Sequence, residues 1–104
     1  MTTAVAKIID NELRIEELAA ILKGLGHPIR LRLVMLLCHE ELTVTQLVER
    51  LGVRQSLVSQ HLSVLRMLSL LQADRTGGTA TYSLREEGLR NMMECLGACR
   101  SRGD

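Results

Sequence analysis

Phenylalanine and tryptophan are absent from the sequence, and Tyr82 is the only other large aromatic residue. A core without aromatic rings must consist of Leu, Val, Ile and Met side chains, which suit packed helices better than a β-sandwich. A protein that binds single-stranded nucleic acid would need stacking aromatics, so that class is disfavoured. No run of about 18 apolar residues occurs, and we therefore expect no contact with a membrane. The 104 residues suffice for one core, so we assign residues 1–104 to a single domain.

The amino-terminal stretch MTTAVAKIIDNELR has no basic start followed by a long apolar segment. A secretory signal is therefore not expected, and we predict a cytoplasmic protein. The three cysteines make an odd count, which fits reduced thiols better than structural disulfides. No paired acid and base groups, phosphate-binding loop or metal-ligand set is visible, so we do not expect an enzyme.

The net charge is only +1, but the basic residues are concentrated in one segment. Residues 50–85 contain five arginines and one acidic residue, and five minus one gives a local charge of +4. Binding to duplex DNA needs such a segment, because neutralisation of phosphates supplies much of the affinity. An ordinary basic surface patch would give the same count. The residues concerned are Arg50, Arg54, Arg66, Arg75, Arg85 and Asp74.

Two helices are predicted before residue 40. Residues 12–23 have an apolar side, Gly24 and Gly26 end this helix, and Pro28 opens the next one. The second helix, residues 29–38, is nearly all apolar and is expected to be the central buried element. The apolar side of the first helix consists of Ile15, Leu18, Leu22 and Leu25.

The stretch ELTVTQLVERLG has strong signals for the start and the end of a helix. Thr43 and Gln46 match a capping box, Leu42 and Leu47 have the spacing of a hydrophobic staple, and Gly52 ends the helix. A further helix is predicted two residues later. A short helix, a tight turn and a second helix together form a helix-turn-helix motif.

The second helix of this motif, within RQSLVSQHLSVLR, has two different faces. Val58, Leu62 and Leu65 form an apolar stripe. The other side has short, uncharged side chains that both donate and accept hydrogen bonds. Gln can bond bidentately to adenine and Ser can serve several bases, so this face is expected to contact base edges in the major groove. The side chains are Gln55, Ser56, Ser59, Gln60 and Ser63.

The stretch LLQADRTGGTATYSL predicts a β-hairpin that turns around Gly77-Gly78. A last helix, REEGLRNMMECLGACR, follows, and its interior glycines weaken it. We therefore expect it to need a partner surface. The predicted fold class is mainly α with a small β-hairpin wing, a dimeric winged helix-turn-helix. The apolar face of the last helix consists of Leu89, Met92, Met93 and Leu96.

The stretches LGHPIRLRLVMLL and ELTVTQLVERLGVRQSLVSQHLSVLRMLSLL resemble the arsenic-repressor or metal-sensor (ArsR/SmtB) family of bacterial transcriptional repressors. The resemblance covers roughly residues 12–100. It implies a homodimer built by the first and last helices, binding to a double-stranded operator with an imperfect inverted repeat, and release by an inducer. The family positions that contact DNA match Gln55, Ser56, Ser59 and Gln60, and those of the wing match Arg75 to Thr79, including Thr76 and Gly77.

Two residues at the edge of this face need separate treatment. His61 could contact a phosphate or could simply cap the apolar stripe. Arg54 stands where the family commonly has a serine that caps the helix. A cation near a helix amino terminus is unfavourable, and a bound phosphate would relieve that cost, so Arg54 is predicted to contact the DNA backbone.

The inducer must be inferred from the thiols. The resemblance implies Asp/His sets for zinc sensors and a Cys-Val-Cys pair for some arsenic and cadmium sensors, and neither is present. Cys95 and Cys99 lie four apart and could bind a soft ion such as arsenite or Cu(I), with Cys38 as a third ligand. The persulfide and redox sensors of the family instead use one Cys on each of two helices, at positions matching Met35 and the last helix; Cys38 lies three residues beyond Met35. Cys38 could also be only a small buried hydrophobe. No cofactor is certain, and the alternatives are a constitutive repressor or a protein-interaction module.

Overall fold

The computed structural model describes residues 3–99. Within this range the chain forms six α-helices and three short β-strands. The helices are α1 (Thr3–Ile8), α2 (Glu12–Leu25), α3 (Pro28–Leu37), α4 (Val44–Leu51), α5 (Gln55–Met67) and α6 (Glu87–Ala98). The strands are β1 (Leu42–Thr43), β2 (Leu71–Asp74) and β3 (Thr81–Leu84).

Helix α2 extends beyond the predicted end at residue 23. The side chain of Asn11 accepts a hydrogen bond from the backbone N–H of Arg14 and caps the helix, which then continues through Gly24 to a C-cap at Gly26. Gly24 is buried, and a Cβ at this position would overlap Cδ1 of Leu68. The glycine therefore permits close packing between helices, and the prediction that it ends the helix was wrong. The short helix α1 was not predicted.

Helix α3 is the central helix, as predicted. Nδ1 of His27 accepts a hydrogen bond from the N–H of Ile29 at 3.1 Å, and Pro28 occupies the first helical position. Leu33, Val34 and Leu37 are at most 1% exposed, and α3 packs against α2, α4, α5 and β3.

The helix-turn-helix motif is formed by α4 and α5. The predicted capping box is present: the N–H of Gln46 donates to the Thr43 hydroxyl at 3.2 Å, and the N–H of Thr43 donates to the Gln46 side chain at 2.9 Å. Gly52 ends α4 with a φ of 68°, which an L side chain rarely adopts. Leu42 and Leu47, the predicted staple residues, are both buried.

The predicted hairpin is present, and a third strand accompanies it. The strand order is β1-β3-β2, with antiparallel pairs that align Leu42 with Tyr82 and Leu71 with Leu84. The hairpin turns through one turn of 3-10 helix, Thr76–Gly78, in which both glycines have positive φ. These elements give a winged helix-turn-helix with a mainly helical core, as predicted.

The apolar sides of α2 and α6 are only half covered. Leu25 and Met93 are buried, whereas Leu22 is 58% exposed and Ile15 and Leu96 are each 44% exposed. Both helices thus present apolar surface on the outside of the described chain. None of the helices in residues 3–99 is long and apolar enough to cross a membrane.

Candidate nucleic-acid interface and thiol sites

Helix α5 has the two faces that its sequence predicts. Val58, Leu62 and Leu65 are at most 1% exposed and attach the helix to the core. On the opposite side, three of the four predicted base-contacting side chains are exposed and Ser59 is partly buried. Within residues 3–99 these four side chains make no hydrogen bond to the rest of the protein, so their donors and acceptors are available to a ligand. They are Gln55, Ser56, Ser59 and Gln60.

Arg54 occupies the N-cap of α5 without capping it. Its φ of −65° and ψ of 151° are those of a normal N-cap, but its side chain forms no capping hydrogen bond and is exposed. The first N–H groups of a helix lack intrahelical acceptors and attract anions. Arg54 and the start of α5 together offer a cation and free N–H groups in one place, a suitable arrangement for a phosphate.

The wing turn is exposed at Arg75, Thr76 and Gly77. Asp74 organises this turn: its carboxylate accepts hydrogen bonds from the hydroxyl and from the N–H of Thr76, the latter at 2.9 Å. These bonds, the side-chain one first, lower the pKa of Asp74 below its usual value. The carboxylate therefore remains ionised and offsets part of the charge of the neighbouring Arg75.

The basic segment is less uniform than its sequence suggests. Arg50 forms an ion pair with Glu40, whereas in the described range no ion pair involves Arg54, Arg66, Arg75 or Arg85. The free positive charge therefore lies at the start and the end of α5 and on the wing. Sequence reasoning missed the role of Glu40, because it lies ten residues from Arg50.

His61 is directed into the protein rather than towards the exposed face. It is 6% exposed, Nε of Arg30 donates to its Nδ1 at 3.1 Å, and its ring lies 4.4 Å from the ring of His27. Burial, then His27 and Arg30, lower the pKa of His61, so the ring is neutral at pH 7. Of the two roles left open for His61, this geometry favours packing and does not fit a phosphate contact. The HP-I-R stretch contained the signal, since it places His27 and Arg30 one helical turn apart.

Cys38 is buried at the end of α3, beside α6. Nε of Arg90 donates to the Cys38 carbonyl at 2.9 Å. Burial raises the pKa of the Cys38 thiol, the Arg90 guanidinium lowers it, and the Glu94 carboxylate raises it. A small cavity of about 110 Å³ separates the two helices, and Met35, Cys38, His39, Met93, Glu94 and Gly97 line it.

Cys95 and Cys99 are both exposed. Helix α6 ends at Ala98, so Cys99 is its C-cap residue, and the Cys99 thiol donates to the Cys95 carbonyl at 3.4 Å. Cys99 therefore lies at the helix end rather than within the helix as predicted. In the described part of the chain, no three His, Cys, Asp or Glu residues are grouped so that they could hold a metal ion. The predicted three-thiolate arrangement is thus not assembled within one chain.

Comparison with known proteins agrees with this architecture. The family model described as "Bacterial regulatory protein, arsR family" matches residues 27–73. The biofilm growth-associated repressor of Xylella fastidiosa is 36% identical over 87 residues, which are 84% of this chain and 76% of that protein. The crystal structure of the transcriptional repressor BigR from Xylella fastidiosa superposes with a TM-score of 0.79 at 33% identity, and covers 97% of this chain and 100% of that chain.

A second solved structure, reduced HlyU from Vibrio cholerae, superposes with a TM-score of 0.78 at 31% identity, and covers 86% of this chain and 96% of that chain. These matches extend from α2 through the wing, and they include the helix-turn-helix and the hairpin that the geometry defines. The chain therefore belongs to the arsR family of bacterial regulatory proteins.

Proposed function

We propose that this protein is a homodimeric transcriptional repressor that binds a double-stranded operator through α5 and is released by an inducer acting on its thiols. The exposed Ser/Gln face of α5 is the observation that carries the proposal. Such a regulator acts where the chromosome is, so the proposed location is the cytoplasm. The names of the relatives, which include repressors and one activator, support a role in transcription.

The composition of this face supports contact with base edges rather than a merely solvated surface. A solvated helix face normally consists of Lys and Glu, whose long side chains would hold the helix away from the base pairs. Ser and Gln are short enough for the backbone to approach, and they supply the donors and acceptors that distinguish bases. Arg54 at the helix start and Arg75 on the wing are placed to bind the backbone phosphates on either side.

The exposed apolar residues of α2 and α6 support a dimer. Leu22, Ile15 and Leu96 would be buried between two copies, which agrees with the role that the family resemblance implies for the first and last helices. A two-fold dimer presents two copies of α5 to successive major grooves, about 34–36 Å apart, and thereby recognises an inverted repeat.

The position of Cys38 supports a thiol-dependent release. Cys38 and Met35 line one cavity facing α6, so Cys38 lies on the side of α3 used by the redox-sensing branch of the family. A bond from Cys38 to a thiol of α6 would move α6 relative to α3 and change the dimer geometry. The solution of one relative as reduced HlyU supports testing redox chemistry first. Arsenite or Cu(I) would require thiolates to be gathered by movement or by a second chain.

The DNA-binding part is tested on a duplex selected by the protein from a random pool, with a scrambled duplex as reference. Gln60→Ala and Ser56→Ala should each weaken binding to the selected duplex by about 1–3 kcal/mol and leave binding to the scrambled duplex unchanged. Ser63→Ala is the matched control, because Ser63 is exposed but lies in the second half of α5. Equal losses on both duplexes for Gln60→Ala would contradict base contact, and no selected sequence at all would favour a protein-interaction module.

The inducer is tested by gel shift with arsenite, Cu(I), Zn(II) and a persulfide as releasing agents. If a persulfide acts, mass spectrometry should show a sulfur bridge between Cys38 and one thiol of the last helix, and Cys38→Ser should prevent release. If a metalloid acts, Cys95→Ser and Cys99→Ser should each prevent release without loss of DNA binding. Release of a triple Cys→Ser variant by the same agents would contradict both versions, and no release of the wild type by any agent would indicate a constitutive repressor.

A further inference from the structure

A buried polar contact joins α5 to the end of α2. Arg30, on α3, lies between the two helices: its Nε donates to Nδ1 of His61 on α5 at 3.1 Å, and its Nη1 donates to the carbonyl of Gly24 on α2 at 3.4 Å. The ring of His27 lies against the ring of His61, with 4.4 Å between the centroids. None of these groups has a part in the contacts with bases, phosphates or an inducer described above.

An arginine is the side chain that can make this contact. Its planar guanidinium presents N–H donors in several fixed directions, so it can bind two acceptors on two different helices at once. A lysine ammonium has no such fixed geometry. The bond to Nδ1 also requires that this nitrogen be unprotonated, so the proton of the neutral ring is on Nε2.

A second contact between α2 and α5 lies one helical turn away. Gly24 packs so closely on the side chain of Leu68, the C-cap residue of α5, that a Cβ would overlap it. Two points of contact, Arg30 with His61 and Gly24 with Leu68, restrict both the distance and the rotation of α5 relative to α2. Helix α2 has exposed apolar side chains that we assign to the dimer interface, so this junction fixes how α5 is oriented in the dimer.

We propose that Arg30 is a positioning residue for operator recognition: through His61 and Gly24 it sets the orientation of α5 relative to α2, and thus the spacing of the two α5 helices in a dimer. This proposal rests on the DNA-binding function proposed above. Binding to an operator requires both α5 helices in register, whereas binding to arbitrary DNA tolerates many orientations. Loss of the junction should therefore reduce specific binding selectively.

The junction should also depend on pH. The titratable and charged groups that face His61 in the described structure are His27, at the N-cap of α3, and Arg30. Protonation of His61 would replace its acceptor by a donor and place a second positive charge beside Arg30. The contact would then be lost, and the ratio of specific to nonspecific affinity should fall as the pH falls below the usual range of histidine.

The test uses the full-length protein with the selected duplex and its scrambled version. Arg30→Met, which keeps the length of the side chain, should weaken binding to the selected duplex about tenfold and leave the scrambled duplex unaffected. Arg30→Lys keeps the charge but not the two-directional donors, so it should resemble Arg30→Met. Arg32→Met is the matched control, an exposed arginine of the same helix, and should bind like the wild type.

Direct contact of Arg30 with a phosphate would give a different pattern. Arg30→Met would then weaken both duplexes alike and reduce the salt dependence, and Arg30→Lys would bind nearly as the wild type does. That pattern, or an unchanged ratio of the two affinities, would overturn the proposal. Failure of the wild type to select any duplex would contradict the DNA-binding function instead, so the two failures are distinguishable.

A pH profile gives a readout that loss of folding would not mimic. The ratio of the two affinities is measured between about pH 7.5 and 5, which spans the titration of histidine. His61→Asn retains an acceptor near the position of Nδ1 but does not titrate, so its profile should be flat while its ratio near pH 7 stays close to that of the wild type. His39→Gln, at an exposed histidine, should keep the wild-type profile. A flat wild-type profile, or a slope that persists in His61→Asn, would overturn the proposed junction.

Discussion

Replacement of Arg54 by serine should make the protein more stable and a weaker DNA binder at the same time. The backbone of Arg54 already has N-cap geometry, with φ of −65° and ψ of 151°, but no side chain caps α5. A serine at this position can accept a hydrogen bond from the N–H of Ser56 or Leu57, and a side-chain cap contributes about 1 kcal/mol to the free energy of unfolding. Removal of the cation from the helix amino terminus adds a few tenths of a kcal/mol.

The assay compares Arg54→Ser with Arg54→Ala by thermal unfolding at one protein concentration and by DNA binding at several salt concentrations. Arg54→Ala removes the same charge without adding a cap. Arg54→Ser should therefore unfold about 4–8 °C above Arg54→Ala, the shift that about 1 kcal/mol gives in a domain of this size. Both variants should weaken binding to specific and scrambled DNA alike, and each should reduce the slope of log K against log salt by about 0.9 if one phosphate contact is lost.

Two results would refute this reasoning. Equal unfolding temperatures for the two variants would mean that the start of α5 is not short of a cap. Unchanged affinity and salt dependence in both would mean that Arg54 does not contact the DNA backbone, even if the cap has formed.

Three further predictions concern packing, assembly and pH. Gly88→Ala should stabilise α6 by up to about 1 kcal/mol because nothing lies near the added Cβ, whereas Gly24→Ala should destabilise the protein by about 1 kcal/mol because the displacement of Leu68 outweighs the same gain in helix propensity; chemical denaturation compares the two. Leu22→Glu should convert the dimer into a monomer in sedimentation, while Lys23→Glu, at its exposed neighbour, should not. Since the pKa of His61 is lower in the folded protein than its usual 6.5, the unfolded chain binds more protons, so this group's contribution should be complete above about pH 6.5 and decline below it; in His61→Asn the decline measured by denaturation should be smaller.

Local signals allowed the sequence to predict the helix-turn-helix and the wing. The Thr43–Gln46 capping box, the stop at Gly52 and the Gly77-Gly78 turn each depend on residues within a few positions of one another, and the structure confirms all three. The polar face of α5 was likewise predictable, because the apolar stripe determines which side is buried.

Features that depend on distant partners were not predictable in this way. The strand β1 is only two residues long and exists because Leu42 and Thr43 pair with β3, some forty residues later. His61 was placed at the edge of the exposed face, and only the packing of α3 on α5 shows that it faces Arg30. Gly24 has the same character: its spacing resembles a helix end, but its contact with Leu68 explains it.

The side chains on the polar face of α5 have no internal hydrogen bonds and little contact with the core, and this has a consequence for evolution. Substitutions at exposed positions without internal partners usually change stability by less than about 0.5 kcal/mol. Residues such as Gln55 and Gln60 are therefore free to vary without affecting the fold, the dimer or the response to an inducer. After gene duplication, one copy could acquire a new operator by a few substitutions on this face while it kept the same sensor, and this separation allows one architecture to serve many promoters.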